Sequence, residues 1–222
     1  MTRLSLISLL LLALCAVTAS CSDDDIGEQY TDYRNDIVTY NGWNGSGNAT
    51  FTLVGRNDEQ SVLLNSDVKP IDGLKAGQRV LLRYNFSDDG NGYDDVRNIT
   101  AYSLTRIISD TLRHHAGDSP CRPVRLRSLW RTGDYINIHC QVEYTGKERV
   151  FALVADDATL HSDTVDCYLR HELRTDTAYH WRECYGSFYV GAIWRGHPER
   201  TLRVHLDDNT FPSVKYYDFN KQ

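Results

Sequence analysis

Several groups of side chains in this chain are of types that catalysis or metal binding uses, and each departs from the spacing that such chemistry needs. His171-Glu172-Leu173-Arg174-Thr175 opens like the His-Glu-x-x-His pair of zinc proteases, but Thr175 replaces the second histidine and the segment reads as a strand. Asp88, Asp89, Asn91, Asp94 and Asp95 gather oxygen ligands between glycines. Tyr93 and Thr100 stand where an EF-hand needs an oxygen donor and a closing Glu, so this loop reads as a solvated hairpin. His114 and His115 point to opposite sides of an extended chain. No G-x-S-x-G, P-loop or G-x-G-x-x-G occurs, so no cofactor, no metal and no catalytic residue is expected. A glycosidase needs two carboxylates roughly 5–10 Å apart, and no spacing in this chain singles out such a pair.

Cys21 carries a different chemistry, that of a thiol to be acylated. Arg3 is the only charge in the first twenty residues, residues 4–17 are almost unbroken apolar, and Thr18-Ala19-Ser20 are small. An apolar run of that length is a signal peptide's, short of the roughly 20 residues of a spanning helix. Small residues leading into a cysteine read as a lipoprotein signal over 1–20, with the lipid on Cys21. A plain secretory signal cut after Ala19 or Ser20 would leave Cys21 an ordinary thiol. The run Ser22, Asp23, Asp24, Asp25 resembles the acidic export tag that sends lipoproteins of Bacteroidota to the outer face of the outer membrane; otherwise it is a solvated linker. Residues 21–33 are then an acidic tether. The expected address is the outer membrane, lipid-anchored and facing the exterior, with the membrane contacted through acyl chains.

The remaining 202 residues suffice for one large or two small domains. A net charge of −6 without a long basic run disfavours nucleic acid as a partner. Cys121, Cys140, Cys167 and Cys184 are an even set in an exported chain, which points to at least one disulfide out of three pairings. Zinc would want a C-x-x-C, which is lacking; Cys140 and Cys184 also suit small buried apolar residues. Fourteen Tyr, four Trp and six Phe supply both core packing and contacts to a protein or glycan ligand. Trp181, with Tyr179 in an apparent loop, and Trp43 beside Asn41-Gly42 and Asn44-Gly45 are the expected exposed contacts; Trp130 and Trp194 read as packing. Thr111, Thr164 and Thr177 each follow an aspartate, in a pattern that resembles the three-residue O-glycosylation sequon of the same phylum. No pattern sets an oligomeric state.

Short alternating runs between turn signals make the chain all-β. Strands are expected at 36–43, 49–55, 60–64, 78–86 and 96–107, five in a row that fit an OB-like barrel over 34–112. A break at residues 114–120 precedes seven more, at 124–131, 135–144, 148–156, 164–173, 184–194, 201–206 and 213–219. In 135–144, Ile136, Ile138, Cys140 and Val142 share one face while Asn137, His139, Gln141 and Glu143 share the other. One buried and one wet face is the signature of an antiparallel β-sandwich, over 113–222.

Four stretches then carry a resemblance. They are Arg79-Val80-Leu81-Leu82-Arg83-Tyr84 with the acidic loop after it, Leu129-Trp130-Arg131-Thr132-Gly133-Asp134-Tyr135, Val150-Phe151-Ala152-Leu153-Val154-Ala155-Asp156, and Cys167-Tyr168-Leu169-Arg170-His171-Glu172-Leu173. Together they resemble the NigD-like lipoproteins of Bacteroidota, with Gly133-Asp134-Tyr135 the sharpest element. Ser187-Phe188-Tyr189 departs from that family's pattern, which has an acid in place of Tyr189. The resemblance implies an N-terminal OB-like domain and a C-terminal β-sandwich, and a non-enzymatic binding or structural role at the envelope. Bacteriocin immunity and a glycan-cleaving envelope hydrolase are the alternatives it leaves.

Overall fold

Alternation of apolar and polar residues builds the first body. In β1 (Arg34–Trp43) Val38 and Tyr40 point inward, and Phe51 of β2 (Ala49–Val54) packs on Tyr40 at 5.7 Å between ring centroids. With β3 (Ser61–Ser66), β4 (Arg79–Phe86) and β5 (Val96–Arg106) they close a barrel in the order β1-β2-β3-β5-β4. The β3–β5 pair is parallel and the other pairs are antiparallel, which is the arrangement of an OB-type barrel. Val38, Tyr40, Phe51, Leu64, Val80, Leu82, Tyr84 and Ile99 fill the interior.

The second body is a sandwich. One sheet runs β6 (Ile108–Thr111), β12 (His180–Tyr189), β9 (Tyr135–Tyr144), β8 (Arg125–Thr132). The other runs β14 (Tyr216–Asn220), β13 (Thr201–His205), β11 (Thr164–Leu173), β10 (Arg149–Ala155), β7 (Arg113–His114). Ile136, Ile138, Phe151, Leu153, Val165, Leu169, Phe188 and Leu202 form the layer between them. The computed structural model describes residues 33–221 apart from 56–59, 70, 88–94, 115–121, 148 and 174–179. Cys21, Ser22, Asp23, Asp24, Asp25, Cys121, Thr177, Tyr179 and most of the Asp88–Asp95 loop lie outside the described residues. Among those described, no helix is long and apolar enough to cross a membrane.

Two elements differ from the sequence expectation. The strand expected at 184–194 starts at His180 and ends at Tyr189; a single helical turn, α1 (Gly191–Trp194), then buries Ile193 and Trp194. The turn leaves no room for a side chain at Gly191, where a Cβ would sit 2.6 Å from the Tyr189 hydroxyl and 2.7 Å from Asp134 Oδ2. At the other boundary the chain leaves the barrel at Ile107. β6 pairs in parallel with β12, and Ile108 and Leu112 pack on the sandwich core, so residues 108–112 of the expected barrel region belong by their hydrogen bonds to the sandwich.

Arg79 fastens barrel to sandwich. From the start of β4 its side chain, 2% exposed, enters the sheet of β8, β9 and β12. Nε donates to Ser187 Oγ at 3.1 Å, and Nη1 to Thr39 Oγ1 at 2.9 Å. Nη2 donates to Ile37 O, Thr132 Oγ1 and Asn137 Oδ1 at 3.1, 3.3 and 3.4 Å. The guanidinium also lies over the Tyr135 ring, 4.5 Å from its centroid. The partners brace one another: Ser187 Oγ donates to Asn137 Oδ1, and Asn137 Nδ2 to Thr132 Oγ1, each at 2.8 Å. No carboxylate is among these partners, and burial pulls the Arg79 guanidinium down to about 10. It remains a cation at neutral pH, held by oriented dipoles and a π face.

Removing this fork would take a donor from each of five acceptors at a dry junction, of which Asn137 Oδ1 and Thr132 Oγ1 keep a second one. Arg79→Ala is expected to lower the unfolding free energy by about 3 kcal/mol, read as a lower urea midpoint. Arg79→Lys should recover little of it, since one ammonium cannot span acceptors in both bodies. A loss under about 0.5 kcal/mol for Arg79→Ala would mean that the junction does not depend on this residue.

Candidate functional site

The outer face of the β8-β9-β12 sheet is laid down in rows set by strand register. Asn137 faces Ser187, His139 faces Tyr185, Gln141 faces Glu183 and Glu143 faces Trp181; Ser128 pairs with His139 from the other side. The barrel covers the Asn137–Ser187 row, and both residues are fully buried. The sequence placed Asn137 on a wet face; the Arg79 junction is what dries it.

The next row lies open under the barrel's edge and floors a cleft of about 650 Å³. Trp130, Ser128, His139 and Tyr185 line it from the sandwich, and Arg34, Asn35, Asp36, Leu53, Gln60 and Val62 from the barrel. That volume and its mixed lining suit a small ligand. His139 and Tyr185 stack face to face at 4.1 Å between centroids with their planes 9° apart, so that each ring covers one face of the other. His139 Nε2 meets Glu183 Oε2 at 2.7 Å, and Gln141 Nε2 donates to Glu183 Oε1 at 2.7 Å. Burial alone would raise the Glu183 carboxyl, but the Gln141 and His139 hydrogen bonds, with Arg127 nearby, outweigh it and hold it below its ordinary range. Across the cleft Asp36 accepts from the Tyr84 hydroxyl at 3.0 Å and from Arg34 Nε at 3.3 Å. Gln60 is tied to Asp95 at the rim. Asp36 in the cleft lining and Glu183 one row beyond it therefore have donors already.

Of the contacts expected from sequence, Trp181 lies in β12 instead of a loop. It is half-buried beneath the Arg125 guanidinium, 4.0 Å from its ring, on the same sheet face as Tyr185 and four residues from it. Trp43 is 71% exposed at the end of β1 and does not line the cleft. Thr111 is exposed in β6, and Thr164 opens β11 half-buried. Cys140, Cys167 and Cys184 are buried free thiols; Cys140 and Cys184 face each other across β9 and β12, while Cys167 lies in the other sheet. Among the described residues no group of three or more His, Cys, Asp or Glu is placed to hold a metal ion. Sequence reasoning passed over His139, Tyr185, Arg34 and Asp36. The wet-face alternation of 135–144 marked His139 as outward, but nothing local pairs it with a tyrosine on a distant strand or with the barrel.

These features define a two-body, all-β class: an OB-type barrel docked on a β-sandwich with a cleft at their junction. No protein-family model matches the chain, and no curated protein does. Solved structures share the fold. A protein of unknown function, DUF1344, from Bacteroides vulgatus superposes with a TM-score of 0.64 at 15% identity over 85% of this chain and 89% of its own. A NigD-like immunity protein from Bacteroides caccae gives 0.62 at 17% identity over 87% and 99%. A protein described as a candidate lipoprotein from Bacteroides fragilis gives 0.58 at 13% identity over 86% and 98%. The NigD-like resemblance read from the four sequence stretches thus coincides with a likeness in fold.

His171, the first residue of the protease-like stretch, lies in the sandwich core with no exposed surface and no well-formed hydrogen bond at either ring nitrogen. Burial first, then the Arg149 cation, pull its pKa down to about 4, outweighing nearby backbone of Pro123, Glu143 and Arg122. The unfolded chain takes this proton near 6.5, and the folded chain resists it to about 4. The folded state is therefore favoured fully above 6.5, and His171 draws it towards unfolding as pH falls through that window. The loss should reach the order of 3 kcal/mol at the acid end. His171→Phe should flatten the melting temperature between pH 6.5 and 4 relative to the parent; parallel curves for the two proteins would refute this assignment.

Proposed function

We propose that this chain is a lipid-anchored envelope protein that binds a glycan fragment in the cleft between its barrel and sandwich. The observation that carries the reading is an aromatic lining, Trp130 with the stacked His139–Tyr185 pair, set in one cleft of about 650 Å³ with the polar groups of Arg34, Asn35, Asp36 and Gln60. Sugar rings need this combination: an aromatic face for their C–H surface and rigid donors and acceptors for adjacent hydroxyls. Binding fits better than turnover, because a glycosidase needs one carboxyl held protonated by a raised pKa. Glu183 is shifted the other way and Asp36 is engaged by Tyr84 and Arg34. Likeness in fold to a NigD-like immunity protein supports a second reading, in which the same cleft takes a peptide toxin.

Titration of the Tyr33–Gln222 body with a panel of envelope and dietary oligosaccharides should give saturable binding. Tyr185→Ala and Trp130→Ala should each weaken it about tenfold, while Trp43→Ala should not. Peptide binding with the same cleft dependence and no glycan binding would move the reading to immunity. Binding of neither, with the fold intact, would remove the cleft as the ligand site.

The anchor rests on residues 1–25: an apolar segment, small residues, Cys21 and the acidic run after it. In cells fed labelled palmitate, label should enter the wild-type protein and be absent from Cys21→Ser, and protease added to intact cells should clip the wild type. Label that persists in Cys21→Ser would show that the lipid is elsewhere.

A further inference from the structure

Behind the cleft floor, on the core side of the same two strands, lies a pair of sulfurs the binding reading does not use. Cys140 of β9 and Cys184 of β12 are directly opposite in antiparallel register. Opposed residues in such a ladder have Cα atoms about 4.5–5.5 Å apart, which falls within the roughly 4.4–6.8 Å that a disulfide spans. Both side chains point into the core as buried free thiols, one directly across the ladder from the other. From the facing sheet Arg149 extends its guanidinium between the layers, with Nη2 3.4 Å from Cys184 Sγ. Its Nε is buried and has no partner of its own. A cation aimed at a sulfur in a dry core stabilises a thiolate and does nothing for a merely apolar cysteine. Cys167, in the same core, has no such neighbour, and burial drives its thiol well up.

We propose that Cys140 and Cys184 are a reversible dithiol–disulfide site in which Arg149 activates Cys184 as the attacking sulfur. Both residues are buried, and Cys184 is the less enclosed of the two, 4% exposed where Cys140 is not exposed at all. The hydrogen bond from the Cys140 thiol, then Arg149, lower the Cys184 pKa against the effect of burial, while Cys140 is driven up. The oxidant is a disulfide, either a small-molecule one or that of a thiol oxidoreductase. Cys184 thiolate attacks one of its sulfurs, forms a mixed disulfide and expels a thiolate. Cys140 gives its proton to that thiolate and attacks Cys184 Sγ, closing the Cys140–Cys184 bond and expelling a second thiolate, which takes from solvent the proton that Cys184 released on ionising. Two electrons and two protons pass to the reagent, which leaves as two thiols.

The site is independent of the ligand assigned to the cleft, although it lies back to back with it. His139 and Tyr185 are the chain neighbours of Cys140 and Cys184, so the bond would clamp the two strands that carry the stacked floor.

The test uses the purified full chain, incubated folded at pH 7 with oxidised glutathione, quenched by acid, alkylated in denaturant and mapped without reduction. Peptides holding Cys140 and Cys184 should appear cross-linked, lighter by two hydrogens, and separate on reduction, with Cys167 alkylated in every sample. Cys140→Ser should trap glutathione on Cys184, because the resolving sulfur is gone. Cys184→Ser should leave Cys140 unmodified. Arg149→Met should slow capture at Cys184 about tenfold at pH 7 while leaving the rate at pH 9.5 much closer to the parent's, a pH signature that loss of packing would not give. Should Cys140 and Cys184 both stay fully alkylatable after prolonged exposure, or should Cys184 bridge to another cysteine instead, the proposal is overturned. An Arg149→Met protein that reacts like the parent at pH 7 would overturn the role of the arginine.

Discussion

A guanidinium without a carboxylate holds this molecule in one shape. Arg79 belongs to the barrel by sequence, yet two of the side chains it bonds, Ser187 and Asn137, come from the paired central strands of the sandwich sheet. Taking a cation out of water costs several kcal/mol, and only a full set of fixed acceptors offsets it. That requirement fixes much around it. Thr132, Asn137 and Ser187 must be polar although dry, Tyr135 must present its ring, and Ile37 must leave a carbonyl free of the barrel ladder. The planar fork of arginine suits the task because its donors point in fixed directions.

The Gly133-Asp134-Tyr135 turn shows how a short motif serves that junction. Gly133 adopts φ +54°, the left-handed region that a two-residue hairpin needs and that side chains disfavour. Asp134 accepts the Val190 N–H through its carbonyl and Lys221 through its carboxylate at 2.7 Å, pinning α1 and the chain end. Tyr135 then lies over Arg79 and edge-on to Tyr189. Three consecutive residues thus link turn, helix and inter-body contact, which gives a physical reason for this stretch to be the sharpest sequence signal.

The cleft follows from the same docking. A barrel fastened at one row of a sheet overhangs the next row, and the aromatic and polar side chains there become a floor with a roof instead of open surface. The opposite side of that floor is the sandwich core, where the Cys140–Cys184 pair and Arg149 lie. Two strands, β9 and β12, therefore carry junction, floor and sulfur pair in successive positions, odd-numbered residues outward and even-numbered inward.

Period-two alternation and turn residues were local enough to be read directly: the strands from 36 to 106 and the span 135–144 follow from them, because a strand with one buried face records that face in its own sequence. The OB-like barrel, the sandwich and the NigD-like resemblance are of this kind. Local pattern misled where one residue's surroundings came from elsewhere. Trp181 read as loop because charged and aromatic neighbours hid the alternation, and residues 190–194 read as strand because Gly191's close contacts are with Asp134, far back in the chain. Burial of Asn137, the His139–Tyr185 stack and the cleft depend on which strands pair, in what register, and on where Arg79 docks. The amino-acid sequence determined the strands and their two faces. Only the tertiary structure decided which wet face became dry and which became a site, because these depend on contacts between residues tens of positions apart, which leave no periodic trace in either segment.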